Sequence, residues 1–308
     1  MRLRKKRSRM TGGVIWIAVL AVLLAGVVAL NVAVLRLNMR YDKLGRTKVE
    51  LSAQNADLQS QLSSGAASQK IQQQARSQLG LVAANPDTTF AIVDSVVDAP
   101  NVRSLVFAEH EGSFLVGAAA ALKSKTGHIG FIGGQEIDLI KKFEAGYIAG
   151  AKAVNPDIKI DSKYLGPAGD NSAWGNVAGA KEIAKGWYDA GADVIYTAAG
   201  GSGAGTIQAA VEADKWAIGV DSDQYLLAKP DEQKHILTSM LKHVDVSVFQ
   251  TIKAVADGDT KGGIITFDLK SDGVGYSTSG GFLDDVKDKL DAYKADIISG
   301  KIVVPTKP

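Results

Sequence analysis

The 308-residue sequence predicts an α/β protein organised as a doubly wound parallel sheet, preceded by one transmembrane helix and a heptad-patterned helix. Three observations carry that reading. From Phe90 onward, short apolar runs alternate with amphipathic stretches, the spacing of repeated βαβ units. Residues 14–35 form a 22-residue apolar run broken only by Gly26 and Asn31, the length a spanning helix requires. The charge also breaks at one place: residues 1–80 carry 13 Lys/Arg against 3 Asp/Glu, leaving 22 against 30 for the remainder, so the front is +10 and the rest −8. Such a split suggests one part near anionic lipid and one in solution. It does not describe a nucleic-acid binder.

Residues 1–13 read as a basic cytoplasmic tail, with six basic residues among the first ten. That bias places the N-terminus inside, although Arg36, Arg40, Lys43, Arg46 and Lys48 on the far side weaken it. The apolar run at 14–35 is longer than a signal-peptide core, and no small-residue cleavage site closes it. Residues 36–64 follow as a heptad helix: Leu37, Leu44, Leu51 and Leu58 recur every seven residues, with Tyr41, Lys48, Asn55 and Leu62 four residues after each. This is an a/d seam, and Lys48 and Asn55 at a positions fix register at some cost in stability. A two-stranded coiled coil is expected, with a single amphipathic helix lying on its own domain as the alternative. Residues 65–87 form a linker, a short helix capped at Gly80 and a junction. The chain has no cysteine, so a disulfide framework, a thiolate metal site and a lipid-modified Cys are excluded, and any membrane attachment is expected through the polypeptide itself.

In residues 88–308 the candidate strands are 90–93, 104–107, 128–132, 159–165, 194–198, 217–220 and 236–239, with helices such as 137–154, 178–190 and 206–213 between them. In doubly wound sheets ligands sit beyond the carboxyl ends of the strands, so those loops should carry function. Residues 130–137 (GFIGGQEI) and 196–210 (YTAAGGSGAGTIQAA) read as strand, glycine loop and helix, where backbone N–H groups can approach a ligand. Neither has the Gly-Lys-Ser/Thr ending of a P-loop. Residues 218–224 (IGVDSDQ) place Asp221 directly after a strand, where its carboxylate can accept hydrogen bonds from a ligand, whereas Asp223 reads as a helix cap. His110, His128, His235 and His243 show no metal-ligand spacing, and no nucleophile elbow is present. Asp268, Asp272, Asp284 and Asp285 read as turn and cap residues. Neither a metal nor another cofactor is expected, and the chain reads as a binding protein rather than an enzyme; a hydrolase using Asp221 and Asp223 is the minor alternative.

Two resemblances refine this picture. The basic tail, single span, heptad helix and ARSQLGLVAANPD tail resemble the bitopic cell-division protein FtsL over residues 1 to about 88, which implies a coiled-coil partner captured through Leu37, Leu44, Leu51 and Leu58. From Asn85 onward the segments NPDTTFAIVDSVVDAPNVRSLVFAEHEGSFLVGAAAALKSKTGHIGFIGG, KKFEAGYIAGAKAVNPDIKI, GADVIYTAAGGSGAGTIQAA, AIGVDSDQ and ILTSMLKHVDVSVFQTIKAV resemble the basic membrane protein (BMP) family of ABC-importer solute receptors, which includes purine-nucleoside receptors. That resemblance implies a periplasmic-binding-protein type I fold, with two lobes closing on a nucleoside-like solute that is handed to an ABC permease. Lobe two falls at about 127–240.

By position, Trp174 occupies the place of an aromatic that would stack on a base. Asp221 would accept ribose hydroxyls, Lys242 would reach into the cleft, Asp94 would face it from lobe one, and Gly200 and Gly201 would bring backbone close. The resemblance also implies that the opening strands of lobe one are missing, which leaves that lobe incomplete and exposes an apolar sheet edge. The leading reading is a membrane-anchored, single-pass receptor with a cytoplasmic N-terminus and an extracytoplasmic soluble domain. The alternatives are an FtsL-like division scaffold carrying a passenger domain, and a chimeric gene product with neither activity.

Overall fold

The computed structural model describes residues 88–308; the expected tail, spanning helix, heptad helix and junction lie outside the described residues. Among the described residues no helix is long and apolar enough to cross a membrane. The chain opens with β1 (Phe90–Val93), β2 (Val102–Phe107) and α1 (Glu109–Lys123), followed by β3 (His128–Gln135), α2 (Asp138–Val154) and β4 (Lys159–Gly166). A 3₁₀ turn at Asn171–Trp174 leads to α3 (Val177–Asp189) and β5 (Val194–Ala198), and a second at Gly200–Ser202 runs into α4 (Gly203–Ala213) and β6 (Trp216–Asp221). The short helices α5 (Gln224–Leu227) and α6 (Pro230–Gln233) precede β7 (Ile236–Lys242) and α7 (Val244–Ala256), and β8 (Gly263–Phe267), β9 (Val274–Tyr276) and α8 (Lys287–Ile298) close the chain.

The expected parallel architecture is present, divided between two sheets. One has three parallel strands in the order β1-β2-β8, and the other six in the order β4-β3-β5-β6-β7-β9, parallel throughout except where β9 runs antiparallel to β7. β3 and β5 are buried along their whole length, as strands covered by helices on both faces must be. In the smaller sheet β1 forms an outer edge with Phe90 exposed, and on α7 the apolar Val248, Phe249 and Ile252 face outward while Ser247 and Thr251 are buried.

Four expectations change. Residues 130–137 do not form a glycine loop, because β3 continues to Gln135 with Gly133 and Gly134 inside it. These glycines serve packing: a Cβ on Gly133 would lie 2.6 Å from a ring carbon of Tyr164, and one on Gly134 would lie 2.3 Å from the Trp174 indole. The strand expected at 236–239 runs on to Lys242. β8 and β9 were not among the expected strands, the first opening on the second glycine of a Gly-Gly pair and the second being only three residues long. Asp223 precedes α5 but makes no capping bond; instead its Oδ2 accepts the hydroxyls of Ser277 and Ser279 at 2.7 and 2.6 Å. Asp268 is the turn residue expected, accepting the Ser271 amide at 2.8 Å, and Asp285 receives Lys123 at 2.9 Å on the surface.

The core is drawn tight where α1 crosses α2. Cβ atoms on Gly117, Gly146 and Gly150 would stand 2.1, 2.1 and 1.9 Å from the carbonyl oxygens of Tyr147, His110 and Phe114, so the two backbones touch through glycines. Gly186 in α3 has open space around its missing Cβ. Gly150→Ala should therefore cost about 1–3 kcal/mol through overpacking. Gly186→Ala should gain about 0.5–1 kcal/mol by restoring helix propensity. Urea denaturation of both variants checks the pair; equal effects would show that the close crossing does not govern stability.

Candidate ligand-binding cleft

Strand order places the expected residues in a row. Along β3-β5-β6-β7 the carboxyl ends present, in sequence, the Gly134 backbone with Trp174 lying on it, Gly200 and Gly201 after β5, Asp221 as the last residue of β6, and Lys242 as the last residue of β7. Adjacent strands are about 4.8 Å apart, so the row spans roughly 14 Å, the scale of one small solute. Asp94 enters from the other sheet, immediately after β1.

At one end of the row, Trp174 is half-buried and its surroundings are firmly held. Gln135 Nε2 donates to Asn171 Oδ1 at 3.0 Å, the Gly169 amide donates to Gln135 Oε1 at 2.9 Å, and Ser202 Oγ donates to the Ala173 carbonyl at 2.8 Å. The last of these ties the glycine turn to the Trp174 turn. Gly200 has φ of +55°, a conformation that favours glycine, and Cβ atoms at Gly200 and Gly201 would come within 3.5 and 3.3 Å of the Trp174 carbonyl oxygen. The turn is close-packed on Trp174, and at Gly200 the positive φ is what favours glycine. Gly200, Gly201, Ala204, Ile207, Gln224 and Leu227 also line a largely apolar cavity of about 230 Å³ between α4 and α5.

At the other end the site is charged. Lys242 Nζ donates to both oxygens of Asp94 at 2.6 Å, joining the two sheets, and stands 4.8 Å from the centre of the Phe107 ring. Its side chain is only 5% exposed. Asp94 and Asp221 both adopt positive φ, 60° and 65°, a region that Asp tolerates better than most residues. Asp221 is open to solvent, yet protein crowding around it pushes its carboxyl above the ordinary range; Lys242 draws it down and Asp94 pushes it up. A carboxylate both accessible and crowded thus ends β6, within electrostatic reach of Lys242 and Asp94.

The sequence reading missed one member of this end. Glu109, the first residue of α1, is fully buried, with Oε1 3.7 Å from Lys242 Nζ and Oε2 3.3 Å from Lys142 Nζ. Burial raises its carboxyl, and Lys142 and Lys242 oppose that shift. An acid in the first turn of a helix is the ordinary complement to the helix dipole, so its sequence signal was indistinguishable from a surface one. Among the described residues no cluster of His, Asp and Glu could hold a metal ion.

Comparison with known proteins places the chain in a family. A family model described as Bmp, ABC transporter substrate-binding protein PnrA-like, covers residues 50–308, opening upstream of Asn85 and so within the stretch read as heptad helix and linker. The chain is similar to the ABC transporter nucleoside-binding protein BmpA of Lactococcus lactis subsp. cremoris, at 42% identity over 72% of this chain and 66% of that one. It is also similar to basic membrane protein A of Borreliella burgdorferi, at 35% identity over 72% of this chain and 65% of that one. The chain thus spans about two thirds of the length of these relatives, 66% and 65%. Among solved structures, an ABC transporter solute-binding protein from Aeropyrum pernix K1 superposes with a TM-score of 0.57 at 27% identity, covering 70% of this chain and 71% of that one. A transcriptional activator of the comK gene from Bacillus halodurans, at 24% identity and a TM-score of 0.61 over 71% of this chain and 73% of that one, shares the fold. The chain belongs to the Bmp family of PnrA-like ABC transporter substrate-binding proteins.

Proposed function

We propose that this chain is the receptor component of an ABC importer and captures a nucleoside-like solute between its two sheets. The observation that carries the reading is the row of Trp174, Gly200 and Gly201, Asp221 and Lys242 along consecutive strand ends, with Asp94 closing from the other sheet. An aromatic at one end and a carboxylate–ammonium set at the other suit a flat base joined to a polyhydroxylated sugar. The base would stack on Trp174, and the ribose hydroxyls would donate to Asp221 and Asp94 and accept from Lys242. Binding would bridge the sheets and favour the closed arrangement, which the permease would then recognise. The similar L. lactis protein is itself named a nucleoside-binding protein. In this reading residues 14–35 supply the membrane anchor and keep the receptor extracytoplasmic, and residues 36–64 extend it from the membrane as the heptad helix.

Thermal melting of the full-length protein with a panel of nucleosides tests the reading. At a concentration a hundredfold above Kd, binding to the native state should raise the melting temperature by about 5–10 °C. A cooperative melt that no nucleoside shifts would refute it.

Replacing Trp174 by Ala should weaken nucleoside binding about 5–150-fold, the range expected for a lost base stack, while Trp174→Phe keeps most of the affinity. Titration calorimetry on both variants decides; equal losses would mean that the ring does not stack.

Asp221 should behave in opposite ways towards ligand and fold. An aspartate whose folded pKa lies above its unfolded value stabilises below about pH 3.9 and loses that contribution as pH rises through the folded value. Asp221→Asn should therefore raise the melting temperature of the unliganded protein at neutral pH by about 1–3 °C, with the gain vanishing near pH 3.5. The same variant should bind nucleoside at least about tenfold more weakly, one charge-assisted hydrogen bond being worth that much. A variant that melts lower than wild type at neutral pH would contradict the electrostatic part.

A further inference from the structure

Lys242 has two carboxylate neighbours, and they differ in kind. Asp94 holds the ammonium at 2.6 Å, but its side chain is 33% exposed and sits at a strand end followed by the exposed Ser95, Val96 and Val97. Glu109 stands farther off at 3.7 Å with a side chain 1% exposed, fixed in the first turn of a helix that is buried from Gly112 to Ala120. Its Oε1 is buried without a hydrogen-bond partner. Beside both acids lies a cavity of about 210 Å³, lined also by Val96, Val106, Asp138 and Lys142. One carboxylate can let go of the lysine; the other cannot move away.

We propose that Glu109 is the standing counter-ion of Lys242, retaining the ammonium's charge balance when Asp94 surrenders its hydrogen bonds to a bound solute. This rests on the solute-receptor reading above and assigns a positioning role within the same cleft. The ammonium carries three donors, and a solute oxygen replacing Asp94 takes over a hydrogen bond without bringing a negative charge. A buried lysine that lost both close carboxylates would keep only Asp221, which makes no ion pair with it, and would be poorly compensated, which is unfavourable. With Glu109 in place Asp94 is exchangeable; without it Asp94 must stay on Lys242 and compete with the solute. The charged groups facing Glu109 are Lys242 from β7 and Lys142 from α2. The adjacent His110 is held neutral, burial and Lys142 lowering its pKa to about 4.

The alternative is that Glu109 merely neutralises Lys142, and a paired substitution separates the two roles. In titration calorimetry with guanosine, adenosine and inosine on the full-length protein, Glu109→Gln should weaken binding about tenfold, ~1.4 kcal/mol. Glu109→Gln combined with Lys142→Met should remain as weak. Glu109→Asp, which keeps the charge, should stay within about threefold of wild type, under half of that energy. The proposal is overturned if Glu109→Gln binds like wild type, if Lys142→Met restores its affinity, or if Glu109→Asp loses as much as the amide. Should Glu109→Gln fail to melt cooperatively, Glu109→Asp alone and with Lys142→Met carries the decision, tenfold loss in either overturning the proposal. If wild type binds none of these nucleosides the receptor reading falls and takes this inference with it; wild-type binding with an indifferent Glu109→Gln sinks the inference alone.

Discussion

A lysine ammonium held almost out of water where two sheets meet is the constraint around which the cleft is arranged. Lys242 ends β7 in the larger sheet, and Asp94 follows β1 in the smaller one. A charge so placed must be paired or it destabilises the fold. Asp94, Glu109, the Phe107 ring and the nearby Asp221 supply that compensation from four different elements. Because Lys242 and Asp94 belong to different sheets, moving either sheet changes this balance.

The two sheets contribute unequally. The six-stranded sheet presents Trp174, the glycine turn, Asp221 and Lys242 from neighbouring strand ends, so most of the proposed contacts are set by its internal register. The three-stranded sheet contributes Asp94, one exposed residue at an edge strand. Its surroundings are also less buried, with Phe90, Val96 and Ile264 facing outward. In the proposed function a solute would therefore be held first by the larger sheet and be secured by Asp94 as the sheets approach. α1 packs against both α2 and β7, and so carries Glu109 with the larger sheet's half of the site.

How far the sequence revealed this depended on whether each signal was local. Seven strand positions were readable because buried parallel strands are short apolar runs between turn residues, and all seven lie within observed strands. Asp221 was readable because an acid directly after an apolar strand is conspicuous. Gly133 and Gly134 were misread because glycine signals backbone freedom in a loop and room for a ring in a strand equally well, and only the positions of Tyr164 and Trp174 decide between them. β9 was too short to show alternation. Glu109 was invisible for a deeper reason: its importance lies in burial and in two lysines from elements 33 and 133 residues away, and no spacing along the chain encodes either.

The two ends of the row are built from different physics, a division that would suit the proposed capture and release of a solute. At the Trp174 end, neutral hydrogen bonds through Gln135, Asn171 and Ser202, and rings packed on bare strand backbone, leave little that can rearrange without opening the core. Tyr164, packed on Gly133, is further held by a hydrogen bond to the Glu144 carboxylate, which also receives Ser162. Shape is enforced there. At the Lys242 end the partners are charges, whose pairings can exchange among several acceptors with small movements because charge–charge attraction falls off slowly with distance. In the proposed function a rigid aromatic end would set which ring fits, and a polar end with interchangeable partners would let the fitted solute be held without being trapped.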